Sequence, residues 1–373
     1  MQAFFQKILA LFMSVLVFFG IVKQQTPPSQ FIQGVSSGKQ GNHHVQGVAV
    51  DEKNCYIYYS FTTRLVKTDF AGNLIGTVEG LVGHLGCIAL NPADGLIYGS
   101  LEYKHDGIGQ GVGTDESVSD GFYIAVFDPA KITRRNMSAE QDGVMTAAFL
   151  PEVLVDYTGY GKNGEPHRYG CSGIDGLCFA PLPGASSDER FLYVAYGVYS
   201  DLSRSDNDHQ ILLCFVPNAV KTAARPLTQT AMHENGPGTP LHKYFVYTGN
   251  TEYGVQNLEY DPAHNALLMA VYKGEKPAFP NYDIYAADLS RPAEAMLLTG
   301  LGETGEALTL LGAPVPESLE ISGWRFSYGQ FGIQARSGGG FYIVQPETED
   351  GEENARVYTY AFAPSVGFTK EDG

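Results

Sequence analysis

Paired cysteines are missing from this 373-residue chain. The five that occur, Cys55, Cys87, Cys171, Cys178 and Cys214, are odd in number and show no paired spacing, which removes a disulfide framework as the basis of the fold. No C-x-x-C occurs, so a zinc ribbon and a dithiol redox motif are excluded as well. Cys87, Cys178 and Cys214 fall within apolar, strand-like stretches, where a thiol acts as a small apolar side chain.

Positive charge is scarce. Lys and Arg number 24 against 41 Asp and Glu, for a formal charge of −17. Such a surface repels phosphate backbones and anionic headgroups, which argues against nucleic acid and a peripheral membrane as partners and favours solubility. Long amphipathic helical patterns are few, and no low-complexity segment is extensive. One apolar run stands out at residues 8–22, with Lys7 the only charge before it. At about 15 residues it suits a signal-peptide core better than a full membrane span. No A-x-A cleavage site follows it; Lys23-Gln24-Gln25-Thr26-Pro27-Pro28 does. Residues 1–22 therefore read as a signal peptide or an uncleaved N-terminal anchor, and 23–30 as a stiff linker. The body is expected to be extracellular or in the cell envelope, touching a membrane only through that segment if it stays uncleaved.

What the chain has in abundance is Gly (44), Tyr (23) and Phe (21), residues that supply tight turns and half-buried pleated surfaces. They recur in one layout. First strands are expected at 47–51, 87–91, 176–180, 257–261 and 332–336, each followed by a second at 56–59, 96–98, 191–194, 267–270 and 341–344. Third strands follow at 65–68, 123–127, 210–215, 283–286 and 357–361, and fourth strands at 74–78, 153–157, 244–248 and, less regularly, 324–328. Small sheets repeated in this way predict an all-β fold, a single β-propeller of five four-stranded blades. The fifth sheet runs out of chain, and residues 31–38 stand where a fourth strand is expected, so an N-terminal strand would close the ring and remove an exposed edge. The propeller spans 31–363, with 364–373 a C-terminal tail. A sixth blade would have to hide in 141–168 or 293–323. The stretch 347–354 reads as an acidic, solvated hairpin tip. A monomer is expected.

Strand parity gathers the chemistry on one face. Turns entering the first strands carry His44, Gln46, His84, Asp175, Tyr253 and Gln256, and the long loops between second and third strands carry Glu102, Tyr103, Lys104, Asp106, Tyr196, Tyr199, Arg204 and Tyr272. Long loops on a rigid scaffold are where function concentrates. Asp175 with Glu102 offers the two carboxyl groups that glycoside cleavage needs, one protonated and one ionised, with Asp106 and Glu252 as further acids. Asp175 could equally bond the amides of its own turn. Tyr103, Tyr196, Tyr199 and Tyr253 could stack on sugar rings. His84, with His43, His44, His105 and Gln46, could ligate a transition metal, or simply hydrogen-bond within entry turns. Asp201, Asp206 and Asp208, beside Asn207, form the densest oxygen cluster, and Ca²⁺ is the cofactor such oxygens would take. The EF-hand glycine and glutamate are absent, and an Asx-rich turn with Arg204 paired to a carboxylate is the plainer reading. The alternating glycines of 101–115 lack G-K-[ST], so they suggest a lid or hairpin tip, not a phosphate cradle. Gly170-Cys171-Ser172-Gly173 lacks the second glycine spacing of a nucleophile elbow.

The first strands, Val45-Gln46-Gly47-Val48-Ala49-Val50-Asp51 above all, resemble those of bacterial secreted β-propellers of the broad NHL or YVTN-like kind, across residues 31–363. That resemblance implies fold far more than function. Five-bladed glycosidases, which set three acids around a central pocket, are one comparison. The chain departs from them in its first sheet, where His44 and Gln46 stand in place of a base Asp. Propeller polysaccharide lyases, with His and Gln around a metal, fit that sheet better but usually carry more sheets. No catalytic role carries over from either. The functional expectation is an extracytoplasmic propeller that acts on or binds carbohydrate through paired carboxylates, with a glycan or other small molecule as ligand. A non-catalytic binding or envelope-scaffold propeller and a metal-dependent lyase are the alternatives.

Overall fold

The computed structural model describes residues 31, 33–112, 114 and 118–372. The expected leader and linker, 1–30, lie outside the described residues. Five antiparallel sheets follow one another along the chain. Blade one comprises Val45–Asp51, Tyr56–Phe61, Arg64–Asp69 and Leu74–Glu79. Blade two comprises His84–Leu90, Ile97–Tyr103, Gly121–Phe127 and Met145–Phe149, and blade three Cys171–Ala180, Phe191–Val198, His209–Phe215 and His242–Tyr247. Blade four has Glu252–Asp261, Ala266–Tyr272 and Ile284–Asp288, its outer edge met by single bridges at Leu310 and Trp324. Blade five has Ile333–Ala335, Phe341–Glu349 and Glu352–Ala363.

Period-two alternation explains the ring. Successive residues of a strand point to opposite faces, so each sheet offers an apolar face to both neighbours. Tyr58 packs toward blade two while Ile57 and Tyr59 pack toward blade five. Leu177 faces blade two and Cys178 faces blade four. Each neighbouring pair of blades shares an apolar cluster, including the pair formed by the last blade and the first. The fold is a five-bladed β-propeller.

The N-terminal strand closes it. Val35–Ser36 pairs antiparallel with Val357 and Arg356, Gly34 N–H donates to the Val357 carbonyl at 2.8 Å, and Phe31 lies against Phe70 and Tyr342. The fourth position of blade five is shared, because Gly367–Lys370, in the stretch read as a tail, pairs with the other half of the same strand. The acidic stretch turns at Asp350-Gly351, both with positive φ, where the two long strands of blade five meet.

Two expected strands are corrected. Residues 153–157 lie in the helix Pro151–Thr158, and the outer strand of blade two is Met145–Phe149. Pro151 sits in the first helical turn, where its missing N–H costs nothing, and Val153 and Tyr157, four apart, bury one helical face. Of 324–328, Trp324 alone bridges the sheet. The 293–323 stretch makes no sixth blade: Glu294–Leu297 and Thr304–Leu308 extend the outer edge of blade three.

Deleting residues 31–38 removes the burial of Phe31 and Val35, roughly 4 kcal/mol, and exposes a sheet edge. The expected result is a fall in melting temperature of about 6 °C. An unchanged melting temperature contradicts closure by this strand.

Candidate functional site

The inner strands of blades one to four carry β-bulges, at Val45/Gly47, Leu85/Ile88, Cys171/Gly173 with Ile174/Leu177, and Glu252/Val255 with Val255/Asn257. A bulge adds a residue and re-aims a side chain. Gln46, Asp175 and Gln256 each fall inside one, and all three line a pocket of about 550 Å³ at one end of the ring axis.

The end of the second strand of blade two and the segment just after it supply the charges. Glu102, Lys104 and Asp106 follow at period two, and all line that pocket. Lys104 Nζ lies 2.7 Å from Glu102 Oε1 and 3.4 Å from Asp106 Oδ2, and donates to the Ser172 carbonyl at 2.7 Å. The other oxygen of Glu102 accepts the Ile174 N–H at 3.1 Å. Asp106 accepts the Gly109 N–H and the Tyr199 hydroxyl, each at 3.0 Å. Lys104 and Glu102 are buried, each about 4% exposed at the side chain, so each depends on the other for its charge.

Glycines on neighbouring blades make room for the acids. A Cβ at Gly86 would collide with Asp175 Oδ1, and one at Gly173, whose φ is +126°, with Glu102 Oε2. Each carboxyl group thus occupies space that a glycine across the blade junction leaves open. Asp175 Oδ1 accepts the Cys87 N–H at 3.2 Å, and no other hydrogen bond to its carboxyl occurs among the described residues.

These environments drive the acids apart. Burial and then the Glu102 charge push Asp175 well above the usual carboxylate range, against the weaker pull of the Cys87 N–H and Lys104. Burial works upward on Asp106 too, but Lys104, the Gly109 N–H and the Tyr199 hydroxyl outweigh it and hold it low. Burial opposes the Lys104 ammonium, yet Glu102 and Asp106 raise it above its ordinary value, so the cation persists. His84, its Nδ1 3.6 Å from Glu102 Oε1, is pushed down to about 3 by burial and Lys104, and is neutral at neutral pH. Asp175 is thus pushed toward its protonated form and Asp106 toward its ionised form around one ammonium, while Glu102 is raised by burial against the pull of Lys104.

Among the residues picked from sequence, His44, Gln46, His84, Glu102, Asp175, Tyr199, Tyr253 and Gln256 line this pocket. Tyr103 and Tyr196 do not. Alternation turns them into the cores, where Tyr103 donates to Gln229 at 3.0 Å and Tyr196 to Asp156 at 2.7 Å. Arg204 bonds Asp206 and the carbonyls of Pro166 and His167. The three aspartates of the oxygen cluster go separate ways: Asp201 to Ser203, Asp206 to Arg204, Asp208 to Lys276. Among the described residues no group of three His, Cys, Asp or Glu is arranged to hold a metal ion. The role of Lys104 and the two glycine vacancies went unread. The alternation Glu102-x-Lys104-x-Asp106 was the available signal for the first.

No family model and no curated protein matches the chain. Among solved structures it is similar to a GH43 β-1,3-galactosidase with galactodeoxynojirimycin, at 12% identity and a TM-score of 0.42, over 92% of this chain and 99% of that one. A GH43_1 enzyme from Xanthomonas citri complexed with xylose matches at 11% identity and 0.38, over 91% and 94%. The PQQ domain of a pyranose dehydrogenase from Coprinopsis cinerea matches at 12% and 0.34, over 83% and 81%. No ligand or activity transfers at such distances.

Gly86→Ala should displace Asp175 and cost about 1–3 kcal/mol in denaturant unfolding, the usual cost of overpacking; no loss contradicts the reciprocal fit. Asp175→Asn should stabilise. The folded-state pKa of Asp175 is raised, so the unfolded chain loses this proton first and wild-type stability falls as pH climbs above the ordinary carboxylate range. Asparagine does not titrate. The melting-temperature advantage of the variant should be smallest in acid and grow toward neutral pH; an advantage that shrinks refutes the protonated carboxyl.

Proposed function

We propose that this pocket binds a carbohydrate and cleaves a glycosidic bond, in a protein that works outside the cytoplasm. The observation that carries the reading is one pocket that holds Asp175, whose carboxyl is pushed well above the usual carboxylate range, together with Asp106, whose carboxyl is held low. Environments that push two acids apart mark an acid and a base. Asp175 gives its proton to the glycosidic oxygen as the C–O bond breaks. Asp106 accepts the proton of the water that attacks the anomeric carbon.

Glu102 is the more deeply buried of the two, its side chain about 4% exposed against 18% for Asp106, so it acts on Asp175 through its charge and not on substrate directly. Neutral His84 lines the pocket with its Nδ1 free of hydrogen-bond partners among the described residues, and is available to a sugar hydroxyl. Tyr253, half exposed, Tyr199 and Tyr272 line the pocket and offer aromatic surface to sugar rings. The volume suits a small ligand or the end of a chain. A metal-dependent lyase has less support, since the Lys104 ammonium fills the place among Glu102, Asp106 and the Ser172 carbonyl where a cation would gain its oxygens. The apolar run at residues 8–22 supports export or anchoring.

The test is a glycan panel assayed for new reducing ends. Asp175→Asn and Asp106→Asn should each lower kcat by about 10²–10⁴ while binding is retained. Turnover that survives Asp175→Asn overturns the assignment, and binding without turnover by the wild type makes the protein a binding module. Glu102→Gln should move the alkaline limb of kcat/KM to lower pH, because Asp175 then loses the like charge that raises its pKa. A limb that stays in place separates Glu102 from Asp175.

A further inference from the structure

The same five inner strands that end in the sugar-pocket face open at their other ends into a second cavity. It holds about 240 Å³ and is walled by all five blades: Val48, Ile88, Phe179, Glu259 and Gln334 come one from each inner strand. It shares Leu90, Phe179, Arg190, Glu259 and Gln334 with a wider hollow of about 1220 Å³ beyond it. Nothing in the reading of the carbohydrate pocket depends on this end.

Arg190 is the unusual group. Its guanidinium stacks over the Tyr260 ring, 4.3 Å from the centroid. Its Nη1 is buried with no hydrogen-bond partner among the described residues, and no carboxylate lies within ion-pair distance of the side chain. Apart from the exposed Lys53 at the rim, the other cations around the hollow are engaged, and so are two of its carboxylates. Lys67 bonds the Pro129 carbonyl, Arg336 pairs with Glu371, Asp94 with Lys221, and Asp128 with Lys131. Glu259 shares the cavity but makes no ion pair with Arg190, and burial pushes its carboxyl up to about 8 against the pull of the Ala335 and Tyr260 backbone and of Arg190. A protonated Glu259 is a donor.

A guanidinium nitrogen buried without a hydrogen-bond partner is costly, and the planar fork of a guanidinium matches a carboxylate. We propose that this axial cavity is a second binding site, for a small carboxylic acid anion with an apolar body, whose carboxylate is held by Arg190 and Glu259. Val48, Ile88, Leu90 and Phe179 supply the apolar wall. A phosphate dianion fits less well, since Asp51, Glu52, Asp94 and Asp128 surround the approach and the wall gives it no further donors.

Benzoate titrated into the full chain, followed by calorimetry and saturation-transfer NMR, is the direct probe, with benzamide and inorganic phosphate alongside. Benzoate should bind at least tenfold more tightly than either. Arg190→Gln should weaken benzoate at least tenfold, and Arg190→Lys, which keeps the charge but loses the fork, should fall between. Ala335→Phe, which fills the cavity and leaves Arg190 in place, should abolish binding even if the arginine variants fold poorly. Equal binding of benzamide, tighter binding of phosphate, undiminished benzoate binding by Arg190→Gln or Ala335→Phe, or none by the wild type each overturns the proposal. Glycan turnover should be unchanged in Arg190→Gln, which separates this site from the first.

Discussion

The Lys104 ammonium is the group on which the candidate site depends. A buried cation is tolerable only with its hydrogen bonds made and its charge answered, and here Glu102, the Ser172 carbonyl and Asp106 do both. Removing one partner of such a pair typically costs about 3–5 kcal/mol. The arrangement spans a blade junction, because Glu102 and Lys104 belong to blade two and Ser172 and Ile174 to blade three. Lys104 also fixes the protonation pattern. It holds the Asp106 carboxyl low, and it adds to the burial that keeps His84 neutral, while the Glu102 charge it anchors adds to the burial that raises Asp175.

Propeller geometry makes this possible at low steric cost. Inner strands crowd the axis, and bulges with glycine at the junctions let side chains of one blade occupy space belonging to the next. The consequence is two axial cavities of opposite character on one set of strands. One end gathers acids around a satisfied lysine; the other holds an arginine whose buried Nη1 has no hydrogen-bond partner among the described residues.

Much of the fold was legible in the sequence, because alternation at period two and Gly-rich turns are local signals. Tyr58 and Tyr59, or Leu177 and Cys178, say in adjacent letters that both faces of a sheet are covered. Strand parity likewise placed Asp175, Glu102, His84 and Gln256 at one end. It failed for 153–157, where an apolar stretch suits strand and helix alike and Pro151 decides. Tyr103 and Tyr196 were read as loop residues because the second strands run further than the local pattern shows, to Tyr103 and Val198, and alternation then turns both side chains into the cores. Lys104 was visible but silent: nothing local says that a lysine will be buried.

The central claim is that Asp175 carries a proton at neutral pH. Infrared difference spectroscopy of the folded protein, wild type against Asp175→Asn at pH 7, reads this directly. The account predicts a protonated-carboxyl C=O band in the wild type that the variant lacks. A difference spectrum showing only loss of a carboxylate band would mean that Asp175 is ionised, and would contradict its role as the acid.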